Sequence, residues 1–430
     1  MTLFACKDEP EYVKQDQLTI KAIPIKALMF PQLTPDGSLV TFVAEQSNNP
    51  RNMRQEKVKD GNNMDTAAVH AADGHDNRIE PNEPTYHLVK LHKDGSITSS
   101  PAISFHFGDQ TQRAASIDLD ESIEGIDFGI DITNDGGVFF KYRLEYDFAV
   151  STLDEGGYID TVTKSFVEGK FIGCAALDDG SIAVVHGNSA SLSIFGADCT
   201  LQAKIQLPYF YCDEKDNFKV FNICGNIMIF SLDEKHEFYV YSPAGELLNY
   251  GSIPYMFDRI INIVDPATGQ STHSYATTDV IQYIDASGEI QKACILTKLD
   301  YKGNVIYYRT RAEHTRLLNV IEQDGKLITA GYYVAKSYDE MNTFREGVSA
   351  ITAMKGKIST IDAETGDEID VTTISLDGGV LPYAAVPDGN GNYDVYMTRI
   401  FSSNLSNMDD IFNDAIYIYH IDDLKKLEME

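Results

Sequence analysis

Arg309, Arg311, His314 and Arg316 crowd into eight residues of a chain in which 65 acidic side chains outnumber 35 basic ones. Guanidinium groups make bidentate contacts with carboxylates and phosphates, so the stretch has two readings. It contacts an anionic ligand, or it contacts the acidic surface of a neighbouring structural unit, which needs no ligand. Asp388, Asn390, Asn392 and Asp394 set oxygen-bearing side chains at every second position of one Gly-containing segment. That alternation is how a calcium loop wraps its ion, which makes Ca2+ the cofactor candidate; the alternative is a plain hairpin turn, since no glutamate stands at the twelfth position. His70 and His75 with Asp73 and Asp76 could hold a divalent ion, or belong to a solvated polar insertion.

Tyr209, Tyr211 and Tyr255 fall in two aromatic clusters, Tyr209-Phe210-Tyr211 and Tyr255-Met256-Phe257. Such rings either stack on a sugar or peptide or pack between structural units. The chain has no tryptophan, the residue with the largest flat apolar face, which weighs against a glycan cleft built on indole platforms. No catalytic residue is assigned: the sequence contains no HExxH, GxSxG elbow, Walker loop or GxGxxG turn. Carboxylates are too plentiful to single out a glycosidase pair. A formal charge of −30 repels phosphate backbones and excludes nucleic acid as the main partner. No run approaches eighteen apolar residues, the least a membrane-spanning helix needs.

The elements that must position these groups are strands. Segments of alternating β-branched and aromatic residues recur along the chain, bounded by Gly, Asp and Asn. Gly37, Gly136, Gly180, Gly225, Gly269, Gly325 and Gly389 each mark a tight turn between two such segments. From Gly136 to Gly269 these turns fall 44, 45 and 44 residues apart. A second series runs through Gly95, Gly157, Gly196, Gly245, Gly288, Gly366 and the turn at Ile421-Asp422-Asp423. Tyr241-Ser-Pro-Ala-Gly-Glu-Leu247 and Ile284-Asp-Ala-Ser-Gly-Glu-Ile290 are near copies within it. Two hairpins per unit of about 45 residues is the signature of a β-propeller blade. The expectation is an all-β chain forming a single propeller of seven four-stranded blades over residues 18–425, with six or eight as alternatives. Leu299–Tyr308 reads as an additional hairpin that leaves an eighth or irregular blade open. Residues 46–85 form a long polar loop insertion, and 426–430 a tail. Leu18–Ile25 is expected to complete the last blade beside Ala415–Tyr419.

The first residues carry an address. Leu3-Phe4-Ala5-Cys6 resembles the lipobox of bacterial lipoproteins, in which the cysteine is lipidated, and Lys7-Asp8-Glu9 resembles the export tag of surface lipoproteins of Bacteroidota. Only five residues precede Cys6, fewer than an apolar h-region of about 7–15 needs, so Met1 is expected to lie inside the h-region of a longer precursor. Residues 1–17 then comprise a signal remnant, the lipidation site and a flexible tether. If Cys6 carries lipid, Cys174, Cys199, Cys212, Cys224 and Cys294 remain, none of them in a CxxC pair. The hairpin pattern of the whole body is similar to the extracytoplasmic propeller lipoproteins of Bacteroidota and to TolB-like and NHL-like propellers. That resemblance implies an outer-membrane lipoprotein facing the cell exterior and touching the membrane through its lipid alone. It would be a non-catalytic ligand-binding or accessory subunit beside a nutrient transporter, taking a small molecule or glycan. The alternative is a cell-surface hydrolase or lyase acting on polysaccharide or peptide. A chance cysteine would instead make the protein an intracellular scaffold.

Overall fold

The computed structural model describes residues 12–429 apart from 16–17, 24–30, 46–84, 102–103, 108–109, 114–125, 135, 145–146, 155–156, 164–170, 188–189, 199, 211–217, 233–235, 279–280, 285–289, 313, 335–353, 375–378 and 400–414. Cys6, Lys7, Asp8 and Glu9 therefore lie outside the described residues, as do the polar insertion at 46–84, Cys199, Cys212 and Tyr211.

Among the described residues seven antiparallel blades follow one another along the chain, each beginning with its innermost strand, and Ser104–Phe107 pairs with Gln110–Arg113 as a separate two-stranded sheet between the first two. These inner strands are Gln32–Leu33, Ile126–Ile132, Phe171–Ala176, Phe218–Ile223, Arg259–Val264, Arg316–Gln323 and Val380–Pro387, opening blades 1 to 7. The seven glycines of the first turn series each end the first hairpin of one blade, and all have positive φ, from 69° to 87°. The Asp-Gly-Ser form of these turns has a local cause. Asp36 Oδ1 accepts the Ser38 N–H (2.9 Å) while the Gly37 N–H donates to Thr34 O (2.8 Å). Asp179 repeats the contact with Ser181 (3.0 Å). The carboxylate thus satisfies the turn's own donors, and glycine accepts the left-handed backbone that this requires.

Two blades exceed four strands. In blade 5, Ile290–Leu299 pairs along its far half with Ser271–Thr277 on one side and Val305–Arg311 on the other. Its near half pairs with Ile281–Ile284. The additional hairpin around Leu299–Tyr308 is therefore the outer hairpin of blade 5, and Ile281–Ile284 pairs with the near half of Ile290–Leu299 as an inserted one. The near copies at 241–247 and 284–290 occupy different places in their blades, and no eighth blade is needed. Blade 7 is closed by both ends of the chain: Ile20 faces Tyr419 and Ile23 faces Ile416, as expected. Tyr12–Gln15, expected to lie in the tether, adds a fifth strand outside Leu18–Ile23. The expected tail is likewise docked: Leu424–Met429 forms a 3-10 turn that buries Leu427, and Lys425 pairs with Asp370 at 2.8 Å.

Packing lies between blades. One cluster joins Ile172, Val185 and Leu192 of blade 3 to Val220, Ile229 and Tyr241 of blade 4; another joins Phe230 and Val240 of blade 4 to Ala276 and Leu299 of blade 5. Tyrosine takes the place of the missing indole. Tyr241, Tyr275, Tyr396 and Tyr419 are fully buried, and Tyr241 donates to Pro208 O (2.7 Å). Inner strands converge so closely that a Cβ on Gly173 would meet Val220 Cγ2 at 2.6 Å. Cys174 and Cys294 are buried as small hydrophobes, and both are unbridged.

Candidate functional site

Seven inner strands around an axis leave a channel, and this one encloses about 910 Å³. Its wall combines apolar residues such as Phe171, Val220 and Phe221 with polar ones. Among the described residues four cations line it (Lys93, Lys219, Arg259, Arg316) against three carboxylates (Asp131, Asp258, Glu322). That is a reversal in a protein carrying −30.

The two ends differ. Where the inner strands start, three neighbouring blades supply Lys219, Asp258, Arg259 and Arg316. Arg316 donates from Nε (3.1 Å) and Nη2 (2.6 Å) to Asp258 Oδ2, and Lys219 Nζ lies 3.9 Å from Asp258 Oδ1. Arg259 donates from Nη1 to Leu318 O. Burial pushes the Arg259 guanidinium down to about 10, with Arg316 adding to the shift and Asp258 opposing it, so it stays charged at neutral pH. Where the inner strands end, Asn134 of blade 2 donates to Gly269 O (3.2 Å) and Ser271 Oγ (3.1 Å) of blade 5, three blades away. That contact spans the axis and gives the channel a floor.

Between the ends, polar groups tie blades together. Asp131 accepts the Ala176 N–H (3.1 Å), and buried Asn319 donates to Tyr383 O (2.7 Å) and Pro31 O (3.4 Å), linking blades 6, 7 and 1. Glu322 Oε2 lies 2.6 Å from His273 Nε2 and accepts from Tyr275 OH (2.9 Å). Burial opposes ionisation of Glu322, yet these hydrogen bonds hold its carboxyl below the ordinary range.

The structure does not bring the four basic residues of 309–316 together. Arg309 donates to Thr365 O (2.6 Å) and Asp367 Oδ1 (3.3 Å), and buried Arg311 donates to Gly366 O (2.5 Å), all in the outer turn of blade 6. His314 is buried in the turn between blades, where its N–H donates to Arg311 O (3.1 Å). Only Arg316 reaches the channel. Tyr255, a candidate channel contact, is instead buried between blades, with its hydroxyl 3.0 Å from Thr297 Oγ1. Tyr209 is 84% exposed and stands outside the channel lining. In the candidate calcium segment, Asp388 accepts the N–H groups of Asn390 (2.7 Å) and Asn392 (3.0 Å) and the Asn392 side chain (2.8 Å). Asp394 faces His420 (2.8 Å) on the next strand, so the four side chains do not share one centre. Among the described residues no three His, Cys, Asp or Glu converge on a metal position. Lys219 and the adjacent Asp258 and Arg259 belong to no recognisable motif in the sequence. Their shared signal is a place six to eleven residues before a blade's turn glycine (Gly225, Gly269).

No family model matches the sequence, and no curated protein matches it. Among solved structures the chain is similar to a protein of unknown function from Bacteroides caccae, with 12% identity over 68% of this chain and 93% of that one and a TM-score of 0.35. It is also similar to virginiamycin B lyase from Staphylococcus aureus (9% identity, 94% of this chain and 100% of that one, TM-score 0.41). A third is BamB from Moraxella catarrhalis (10% identity, 68% and 94%, TM-score 0.31). The seven-bladed propeller itself follows from the order of the strands.

Proposed function

We propose that this propeller is a non-catalytic binding protein held at the outer membrane through a lipid on Cys6, facing the cell exterior and serving a transport complex there as ligand-binding or accessory subunit. The observation that carries the binding part is the axial channel: about 910 Å³ falls within the range of small-molecule sites, roughly 300–1,000 Å³. Binding is favoured over hydrolysis or lyase chemistry because, among the described residues, each channel carboxylate is already engaged. Asp131 holds a backbone N–H, Asp258 holds Arg316, and Glu322 holds His273 and Tyr275. A general acid or base needs a proton position facing the substrate. The address rests on the Leu3–Glu9 motif, and the transport partner on the resemblance that motif supports.

Two measurements test the reading. Radiolabelled palmitate is expected to enter the protein expressed from its native locus and to be lost in Cys6→Ala; an unlabelled wild type refutes the anchor. A thermal-shift screen of the purified full chain against neutral oligosaccharides, short peptides and small organic acids is expected to yield at least one ligand that raises the melting temperature saturably. Turnover of such a ligand would overthrow the non-catalytic part.

A further inference from the structure

We infer that the strand-start end of the channel is an oxyanion site, in which Arg259, Arg316 and Lys219 receive the carboxylate or phosphate of a small ligand whose apolar body lies along the channel wall. The inference rests on the binding reading above and specifies its ligand class.

In a chain carrying −30 a concave surface would be expected to collect carboxylates. Among the described residues, three cations from three successive inner strands meet one carboxylate, Asp258, at this end. Low-dielectric walls focus such a field into the channel. The cations are also preorganised. Asp258 takes both Nε and Nη2 of Arg316 on a single oxygen, which fixes the guanidinium plane, and holds Lys219 at the edge of contact (3.9 Å). The carboxylate therefore acts as a holder that orients two cations and neutralises one. Arg259 is tied to the main chain through Nη1, and among the described residues this is its one hydrogen bond. Its remaining donors are left for an oxygen ligand, and the guanidinium fork suits carboxylate and phosphate equally. The Asn134 bridge crosses the far end of the channel, opposite the cations. A volume of about 910 Å³ is many times that of the anion alone, and Phe171, Val220 and Phe221 offer apolar wall to the rest of the molecule.

The test is titration calorimetry of the full chain with citrate, with inorganic phosphate and with neutral maltotriose. Citrate, phosphate or both are expected to bind saturably, with an affinity that falls as salt rises; whichever binds tighter separates a carboxylate ligand from a phosphate one. Arg259→Gln is expected to weaken the anion about tenfold or more, the loss that accompanies a charge-assisted hydrogen bond. Lys219→Gln, whose side chain is 36% exposed, serves as a second variant that leaves packing intact and is expected to weaken binding less. Arg309→Gln is expected to change nothing. Unaltered anion binding in both channel variants overturns the inference. Binding of maltotriose with neither anion also overturns it while leaving the binding reading in place; failure of anions and of every neutral ligand in the broader screen defeats both.

Discussion

Arg311 and Arg316 stand five residues apart in sequence and on opposite edges of the propeller. Arg311 ends the outermost strand of blade 5 and is buried against the outer turn of blade 6. Arg316 opens the innermost strand of blade 6 and looks into the channel. The chain passes from rim to axis between them, with the His314 N–H turned back onto Arg311 O (3.1 Å). The difference teaches that charge type says little about role in a propeller, whereas radial rank says a great deal. At the rim a guanidinium meets backbone carbonyls of the next blade and becomes a clip. At the axis the same group faces a shared cavity, held there by Asp258.

The largest expected effect breaks the rim side of this comparison. Arg311→Ala removes a side chain that is 4% exposed, empties the space of its methylene stem and leaves Gly366 O without its donor. The cost is about 3 kcal/mol, from lost packing plus an unsatisfied buried carbonyl. Calorimetric melting should show it, while anion binding at the channel stays unchanged. Arg311→Met, which keeps the stem, should recover about half of that loss.

The residues that made the propeller legible are those whose requirements are local. A tight hairpin needs positive φ, so seven glycines at blade spacing announced seven inner hairpins. Alternation in Leu18–Ile25 and Ala415–Tyr419 announced the closing pair. Radial rank is a different kind of property, because it depends on counting strands correctly from the last inner turn. The hairpin inserted at 281–290 upset that count in blade 5, the blade that carries Arg309 and Arg311. Arg309, Arg311, His314 and Arg316 group by proximity in the sequence, which carries no radial rank. The clip of His273 and Tyr275 on Glu322 was invisible for the same reason: its partners lie 47 to 49 residues apart and meet only once blades 5 and 6 are packed.

A smaller effect sharpens the axis side. Gly331 pairs beside the register slip between Leu317 and Asn319, and a Cβ there would sit 2.1 Å from Arg316 O. Main chain cannot yield as a flexible side chain does, so Gly331→Ala must displace the start of the inner strand. Overpacking of this kind costs about 2 kcal/mol. The informative readout is the pair of measurements: the melting temperature falls, and anion affinity falls with it because Arg316 moves off Asp258. A loss of stability with unchanged affinity would show that Arg316 contributes nothing to the site.

The smallest effect is expected at Arg309, which makes more hydrogen bonds than Arg311 yet holds less. Its side chain is 40% exposed and its partner Asp367 69% exposed, so water competes for every contact and salt screens the pair. It also lies over the Tyr307 ring at 5.5 Å, a contact that solvent weakens in the same way. Arg309→Ala should therefore cost no more than about 0.5 kcal/mol, less still at high salt, with no change in anion binding. Side by side, Arg309 and Arg311 hold residue type, strand and neighbouring blade constant while burial changes. Equal losses from the two substitutions would mean that the rim arginines act through their common turn at 364–367 and not through their separate environments. Unequal losses in the stated order assign the difference to burial, which is what separates a structural clip from a surface contact before any ligand is considered.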